Sequence, residues 1–331
     1  MEERIIKELS EVFQSSNVNF LFGAGTSIPF LPRLGDIEKR LNEAKDPAEK
    51  EKYYKEYFEK VMLPNKELMD GELKSKTDFD QTKEAYNSFF KSLTDLLIKR
   101  KSTLLSKQAS IFTTNIDVLL EYSLEELQIN FNDGFSGKFN PVFSLANFKK
   151  SIHQRSLHFD HVSEIPVINI IKIHGSLTWA KDPAKANIIF SSKLDHLDKS
   201  LGSLTGADFK QAYDKILVVN PEESKFLESV LNLYYSELLR LYSSELEKEN
   251  STLFVIGFSM DDAHIREITI RAAQSNPTLR VFICCSQGSK ESMEKKMLVE
   301  QHANIQIFTP EGASDKYTVK YFTESVLHKI G

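Results

Sequence analysis

Cysteine is nearly absent from this sequence: only Cys284 and Cys285 occur among 331 residues, and they are adjacent. Neighbours in a strand point to opposite faces, which argues against a mutual disulfide and for reduced core thiols in a cytoplasmic protein. There is no CxxC anywhere, so a structural zinc site built from paired cysteines is excluded. No apolar run approaches the roughly 20 residues that a membrane helix requires. The N-terminal MEERIIKELSEVF alternates charged and apolar residues like a surface helix and has no signal-peptide core. An excess of positive charge is missing too. With 42 Lys and Arg against 47 Asp and Glu, the net charge is -5, which argues against a dedicated nucleic-acid binder. Internal repeats and low-complexity tracts do not occur.

What is present is the composition of an ordinary globular protein, 41% hydrophobic and 27% charged. Short apolar runs rich in β-branched residues read as buried strands: 17–23, 109–115, 167–175, 215–221, 252–259, 279–285 and 304–310. Residues 222–248 carry Phe226, Val230, Leu233, Leu238, Leu241 and Tyr242 at helical spacing. Strand, long helix and strand at this length predict a crossover unit, and the whole pattern predicts an α/β fold with a doubly wound parallel sheet. We expect one domain over residues 1–331 with two interruptions. Residues 38–108 are charged and helical with no strand signal, which predicts a helical insertion beside the sheet. Residues 131–165, rich in Phe, Asn, Gly, His and Ser, predict loops with short helices, a loop-rich cover over the site.

Four short stretches follow predicted strands, which places them at the sheet edge where open α/β folds bind ligands. In FGAGTS, Gly23, Ala24 and Gly25 allow backbone N–H groups to approach an anion, and Thr26 and Ser27 suit a helix cap or a phosphate. Read alone, this Gly-x-Gly equally marks a plain glycine turn. The third glycine of the dehydrogenase fingerprint is missing, with Pro29 and Phe30 following instead. In TTNID, Asn115 offers a donor and an acceptor, and Asp117 an acceptor; capping the next helix is the simpler role for both. His174 in KIHGSLTW has the best address of eight histidines for a general base. In GFSMDDAHI, Gly257 and Ser259 repeat the small-residue exit of the first strand, and Asp262 suits a helix cap. Their convergence on one edge favours a binding site.

These stretches, GAGTS (23–27), TNID (114–117), IHG (173–175) and GFS (257–259), resemble a sirtuin-type domain in their order along the chain. The resemblance implies that Gly23, Ala24, Gly25, Thr26 and Ser27 hold the phosphates of NAD, with Gly257 and Ser259 on the later contacting loop. It also implies that Asn115 and Asp117 line the nicotinamide-ribose pocket and that His174 is catalytic. Protein-deacylating sirtuins carry a four-cysteine zinc module after this histidine. Here LTWAKDPAKANIIFSSKLDHLDKS stands in its place, and no metal is expected. With NDGFSGKFNPVF (132–143), this departure resembles the sirtuin-like effectors of bacterial anti-phage systems, which hydrolyse NAD to nicotinamide and ADP-ribose. That resemblance implies NAD+ as substrate, a homo-oligomer, and a HerA-type ATPase or other activating partner. Two other readings stand beside it: an NAD-dependent protein deacylase, and a subunit that senses NAD or ADP-ribose within a larger complex.

Overall fold

A computed structural model gives the fold. It describes residues 3–33, 37, 40, 41, 43–102, 104–158, 160–185, 187–219, 230–310 and 318–331. In chain order the strands are β1 Asn17–Phe22, β2 Gln108–Thr113, β3 Phe131–Asn132, β4 Phe135–Ser136, β5 Val142–Phe143, β6 Ile152–Arg155 and β7 Val162–Ile165. They continue with β8 Val167–Lys172, β9 Trp179–Lys181, β10 Ile188–Phe190, β11 Ser251–Ile256, β12 Arg280–Cys284 and β13 Ile305–Phe308. Seven strands form one sheet in the order β13-β12-β11-β1-β2-β8-β3, and every pair in it is parallel. The chain runs from β1 to β2 on one side and from β11 to β12 on the other, so winding reverses between β1 and β11. This is the doubly wound α/β architecture predicted from the apolar runs.

Both faces of the sheet are covered, which is why its strands read as continuous apolar runs. In β1, Phe20 and Phe22 point to one face and Leu21 to the other. The first face is covered by the Glu3–Ser15 and Lys76–Ile98 helices and the C-terminal helical segment. Tyr86, Phe89, Phe90, Leu93 and Leu97 recur at helical spacing along Lys76–Ile98, and all are buried. Phe20 meets Phe89 edge-on at 5.2 Å between ring centroids and stacks on Phe254 at 5.4 Å. Such contacts add to the area term of burial. The second face is covered by the Val230–Leu246 and Ala263–Ser275 helices, with Leu238, Tyr242 and Ile265 fully buried. Cys284 lies in the first core and Cys285 in the second, with no disulfide between them, as their adjacency predicts. Burial pushes the Cys285 thiol up to about 11, so it stays protonated and inert.

Three features depart from the sequence reading. In the run 215–221 the described residues, 215–219, form no strand of the sheet. Only Val218 pairs, in an isolated antiparallel bridge to Gly175 beyond the end of β8; Asn220 and Pro221 lie outside the described residues. The helix predicted over 222–248 is present over Val230–Leu246, and residues 222–229, Phe226 among them, lie outside the described residues; the departure is in its apolar face. Leu233, placed on its apolar face, is 67% exposed. Finally, residues 131–165 hold β3, β4, β5 and the β6–β7 hairpin as well as a 3-10 turn, rather than loops with short helices. Strands of two to four residues are too short to display an alternation in sequence.

Residues 176–190 supply β9 and β10, which join β4 and β5 in an antiparallel sheet ordered β4-β5-β10-β9. Aromatic side chains pack this sheet: Phe143 lies 4.8 Å from Trp179, and Phe135 lies 5.3 Å from Phe190 and 5.4 Å from Phe143. Among the described residues no group of three or more His, Cys, Asp or Glu is placed to hold a metal ion. No described helix is long and apolar enough to cross a membrane.

The central packing predicts a sharp contrast between two phenylalanines. Phe89→Ala, at a fully buried position in contact with four rings, is expected to lose about 3–5 kcal/mol in chemical denaturation. Phe139→Ala, at a position 97% exposed, is expected to stay within about 0.5 kcal/mol of the parent.

Candidate functional site

The central strands end in register. Phe22 lies opposite both Thr113 and Ile256, and Thr113 lies opposite Lys172. The chain therefore leaves β1, β2, β8 and β11 along one line, and the four predicted stretches begin there.

At the β1 exit the chain makes a single 3-10 turn, Ala24–Ser27. Its glycines answer first to the neighbouring loop. Gly23 N donates to Ile256 O (3.2 Å) and Gly25 N to Gly257 O (2.9 Å). A Cβ on Gly23 would stand 2.6 Å from Gly257 O, and one on Gly25 2.8 Å from Gly257 Cα. Gly257 has φ +66, and a Cβ there would stand 2.6 Å from Thr26 N. Three glycines thus let two backbone turns touch at the point where the winding reverses. Gly23 and Gly25 are buried while Ala24 is half-buried, so Ala24 is the part of the Gly-Ala-Gly run most open to a ligand. Ser259, two residues beyond Gly257, is exposed.

The hydroxyls of Thr26 and Ser27 turn inward. Thr26 Oγ1 donates to Gly23 O (2.8 Å) and accepts from Tyr86 (2.9 Å). Ser27 Oγ donates to Asp117 Oδ2 (2.7 Å). Asn115 Nδ2 lies 3.1 Å from each of Gly23 O, Thr26 Oγ1 and Ser27 Oγ. Gly23 O can only accept, and both hydroxyl protons are already committed, so the amide orientation is fixed by its surroundings. Asn115 Oδ1 is left without a partner among the described residues, and the side chain is half-buried.

Asp117 is 3% exposed, and both its oxygens are engaged, the second by Leu119 N at 3.1 Å. It ties the β1 turn to the start of the Leu119–Glu126 helix. Lys172, the last residue of β8 and 4% exposed, donates to Asp117 O and pairs with Glu121 at 3.0 Å. Burial pushes the Glu121 carboxyl up, and the Lys172 charge opposes that shift. Burial likewise pushes the Tyr86 phenol up, and the nearby Asp117 charge adds to it.

His174 stands apart from this network. Its Nε2 meets Asp262 Oδ2 at 3.1 Å, with the two side chains 21% and 19% exposed. Gly175 follows at φ +81, where a Cβ would stand 2.4 Å from Leu217 O, and His174 O accepts from Val219 N at 2.8 Å. Asp262 also accepts from Ile265 N at 3.1 Å, capping the Ala263–Ser275 helix. Burial opposes its charge. The hydrogen bond and charge of His174, the Ile265 N–H and the charge of nearby His264 outweigh that and hold the carboxyl below its usual range.

The structure thus brings together Gly23, Gly25, Thr26, Ser27, Asn115, Asp117 and Gly257. His174 lies at the same edge with a partner of its own. Sequence reasoning missed Tyr86, Lys172 and Glu121, and gave Asp262 only its capping role. A lysine inside the otherwise apolar VINIIKI and a glutamate inside VLLEYSL were readable signals of a buried ion pair. Tyr86 and the His174–Asp262 contact, 88 residues apart in the chain, had none.

A model of the SIR2-like domain family matches residues 109–308, more than half of the chain. The match runs from β2 to β13 and leaves β1 and the Gly23–Ser27 turn outside it. No curated protein matches the chain. Two solved structures are similar over 99% of this chain and 98% of their own. One, on the structural basis for the mechanism and regulation of Sir2 enzymes, has 11% identity and a TM-score of 0.43. The other, a Sir2 mutant with a p53 peptide and NAD, has 13% identity and a TM-score of 0.48.

The interlocked turns generate a prediction. Gly257→Ala forces a side chain into backbone at a left-handed position, and is expected to cost at least about 2 kcal/mol in chemical denaturation. Ser259→Ala, at an exposed position, is expected to change stability by no more than about 0.5 kcal/mol.

Proposed function

The chain belongs to the SIR2-like domain family, and on that footing we propose that it is an NAD+ glycohydrolase, releasing nicotinamide and ADP-ribose. One observation carries the reading. At the edge where the winding reverses, a hydrogen-bond network engages the side-chain donors of Thr26, Ser27, Tyr86 and Asn115 and leaves Asn115 Oδ1 as an acceptor, with His174 at the same edge. NAD lies over the turn of Gly23, Ala24, Gly25, Thr26 and Ser27, against Gly257 and Ser259. Glycines keep that surface low enough for a dinucleotide to approach the backbone.

In the reaction the bond between the ribose C1′ and the nicotinamide nitrogen breaks. Its electron pair stays with the nitrogen, so nicotinamide leaves neutral, and positive charge develops on the ribose. Water adds to C1′ and loses a proton. Asn115 Oδ1 accepts a hydrogen bond from that water or from a ribose hydroxyl and so fixes its position. His174 takes the proton or polarises a ribose hydroxyl, a role worth on the order of 10²–10⁴ in rate. Asp117, named beside them as a site residue from the sequence, acts in this reading by holding Ser27 and the helix start, since both of its oxygens are engaged. A protein deacylase needs a channel for an acyl-lysine beside a zinc module. In this chain the stretch after His174 supplies β9 and β10 of the aromatic antiparallel sheet, which supports hydrolysis over deacylation.

The resemblance to anti-phage effectors extends the proposal to depletion of NAD in infected cells, by a homo-oligomer that a HerA-type ATPase or another subunit activates. Chromatography of NAD incubated with the purified chain, alone and with a candidate ATPase, tests the reading. Nicotinamide and ADP-ribose are expected with the parent, and at least about 10²-fold less with Asn115→Ala or His174→Ala. Intact NAD under both conditions would contradict it. Nicotinamide released only when an acetylated peptide is added would assign deacylation instead.

A further inference from the structure

Asp262 reaches His174 from an unexpected direction. It lies six residues beyond the end of β11, whereas His174 lies two residues beyond the end of β8. In the sheet order β11-β1-β2-β8, two strands stand between them. At about 4.8 Å per strand the loop spans roughly 14 Å, well within the reach of six extended residues. The His174–Asp262 contact therefore joins residues that follow strands separated by β1 and β2.

One carboxylate serves two partners. Oδ1 accepts from Ile265 N and Oδ2 meets Nε2 of His174. The cap fixes the carboxylate against the positive end of the Ala263–Ser275 helix, so it is ionised and can only accept. The imidazole nitrogen facing it must then carry the hydrogen. The neutral ring accordingly has its lone pair on Nδ1, which has no partner among the described residues. The Tyr235 ring packs at 6.0 Å from the imidazole, and its phenol is pushed up by burial and by the Asp262 charge, so it stays neutral beside the pair.

We propose that Asp262 is a positioning residue for His174: it holds the imidazole in the Nε2–H tautomer and leaves Nδ1 as the proton acceptor of the site. The proposal rests on the NAD-cleavage reading for the use made of Nδ1, but the tautomer itself is independent of any substrate. A helix cap alone requires only a short polar side chain at residue 262, and serine supplies that. Serine is too short to reach His174. Asp262→Ser therefore separates the two duties of this residue.

The experiment uses the full chain labelled with ¹⁵N-histidine, without NAD, at a pH well above the usual histidine pKa of about 6.5. His174→Gln assigns the ring signals. The parent is expected to show one protonated Nε2 and one unprotonated Nδ1. Asp262→Ser is expected to show ring nitrogens averaged between tautomers, with stability within about 1 kcal/mol of the parent. In NAD cleavage, Asp262→Ser is expected to lower kcat at least about tenfold while KM changes by less than about threefold. Asp262→Asn, which keeps an acceptor oxygen, is expected to recover part of both. A proton on Nδ1 in the parent would overturn the proposal, as would identical ring signals in the parent and Asp262→Ser, even if kcat fell. A parent protein that never cleaves NAD would overturn the cleavage reading, and the ring signals would still decide the tautomer.

Discussion

The contact on which the rest of this site depends is one of backbone against backbone. Where β1 and β11 leave the sheet toward opposite sides, the Gly23–Gly25 turn and the Gly257 turn press together with no room for a Cβ on either. A crevice at the reversal of winding is a general property of open α/β sheets. Here its base is closed by glycine, and that closure positions everything above it. Thr26 and Ser27 follow with their hydroxyls inward, and they are the acceptors that hold Asn115.

The polar network that results is buried but nearly self-sufficient. Apart from Asn115 Oδ1 and one oxygen of Glu121, its side-chain polar atoms have partners, which is the condition under which buried polarity rigidifies a site rather than destabilising it. Tyr86 holds the β1 turn from the Lys76–Ile98 helix, while Lys172 at the end of β8 holds the backbone of Asp117, whose carboxylate binds Ser27 of that turn. The unspent capacity lies at Asn115 Oδ1 and on His174. Side chains that have committed their donors and kept two acceptors suit chemistry in which a water or hydroxyl must be held and a proton removed. Of the residues first read as phosphate ligands, only Ala24 is at once part of the Gly-Ala-Gly run and half-exposed. What the glycines do in the fold is let the two turns meet backbone to backbone.

The sequence made the sheet legible because its strands are buried on both faces and show as unbroken apolar runs. It misplaced residues 215–221 for the same reason. Val218 is buried, yet it pairs with Gly175 above the end of β8, and an apolar run cannot distinguish the two settings. The two-residue strands β3, β4 and β5 were invisible because a period needs more residues than they have. At the site, the edge address of Asn115, His174 and Gly257 followed from strand ends alone. What was not legible was pairing across the chain: that the glycines face each other, that Tyr86 caps Thr26, and that Asp262 serves a histidine as well as a helix. Those are facts of register between strands, and one chain read linearly does not carry them.

The account's central claim is that NAD occupies this edge of the sheet, with its nicotinamide ribose between Asn115 and His174. The most direct measurement is a crystal structure of the His174→Ala protein soaked with NAD, since that variant is expected to bind the dinucleotide without cutting it. The account predicts the pyrophosphate over the Gly23–Ser27 turn and a ribose hydroxyl or water within about 3 Å of Asn115 Oδ1. NAD bound elsewhere on the molecule, or binding at this edge with the nicotinamide ribose turned away from Asn115, would contradict it.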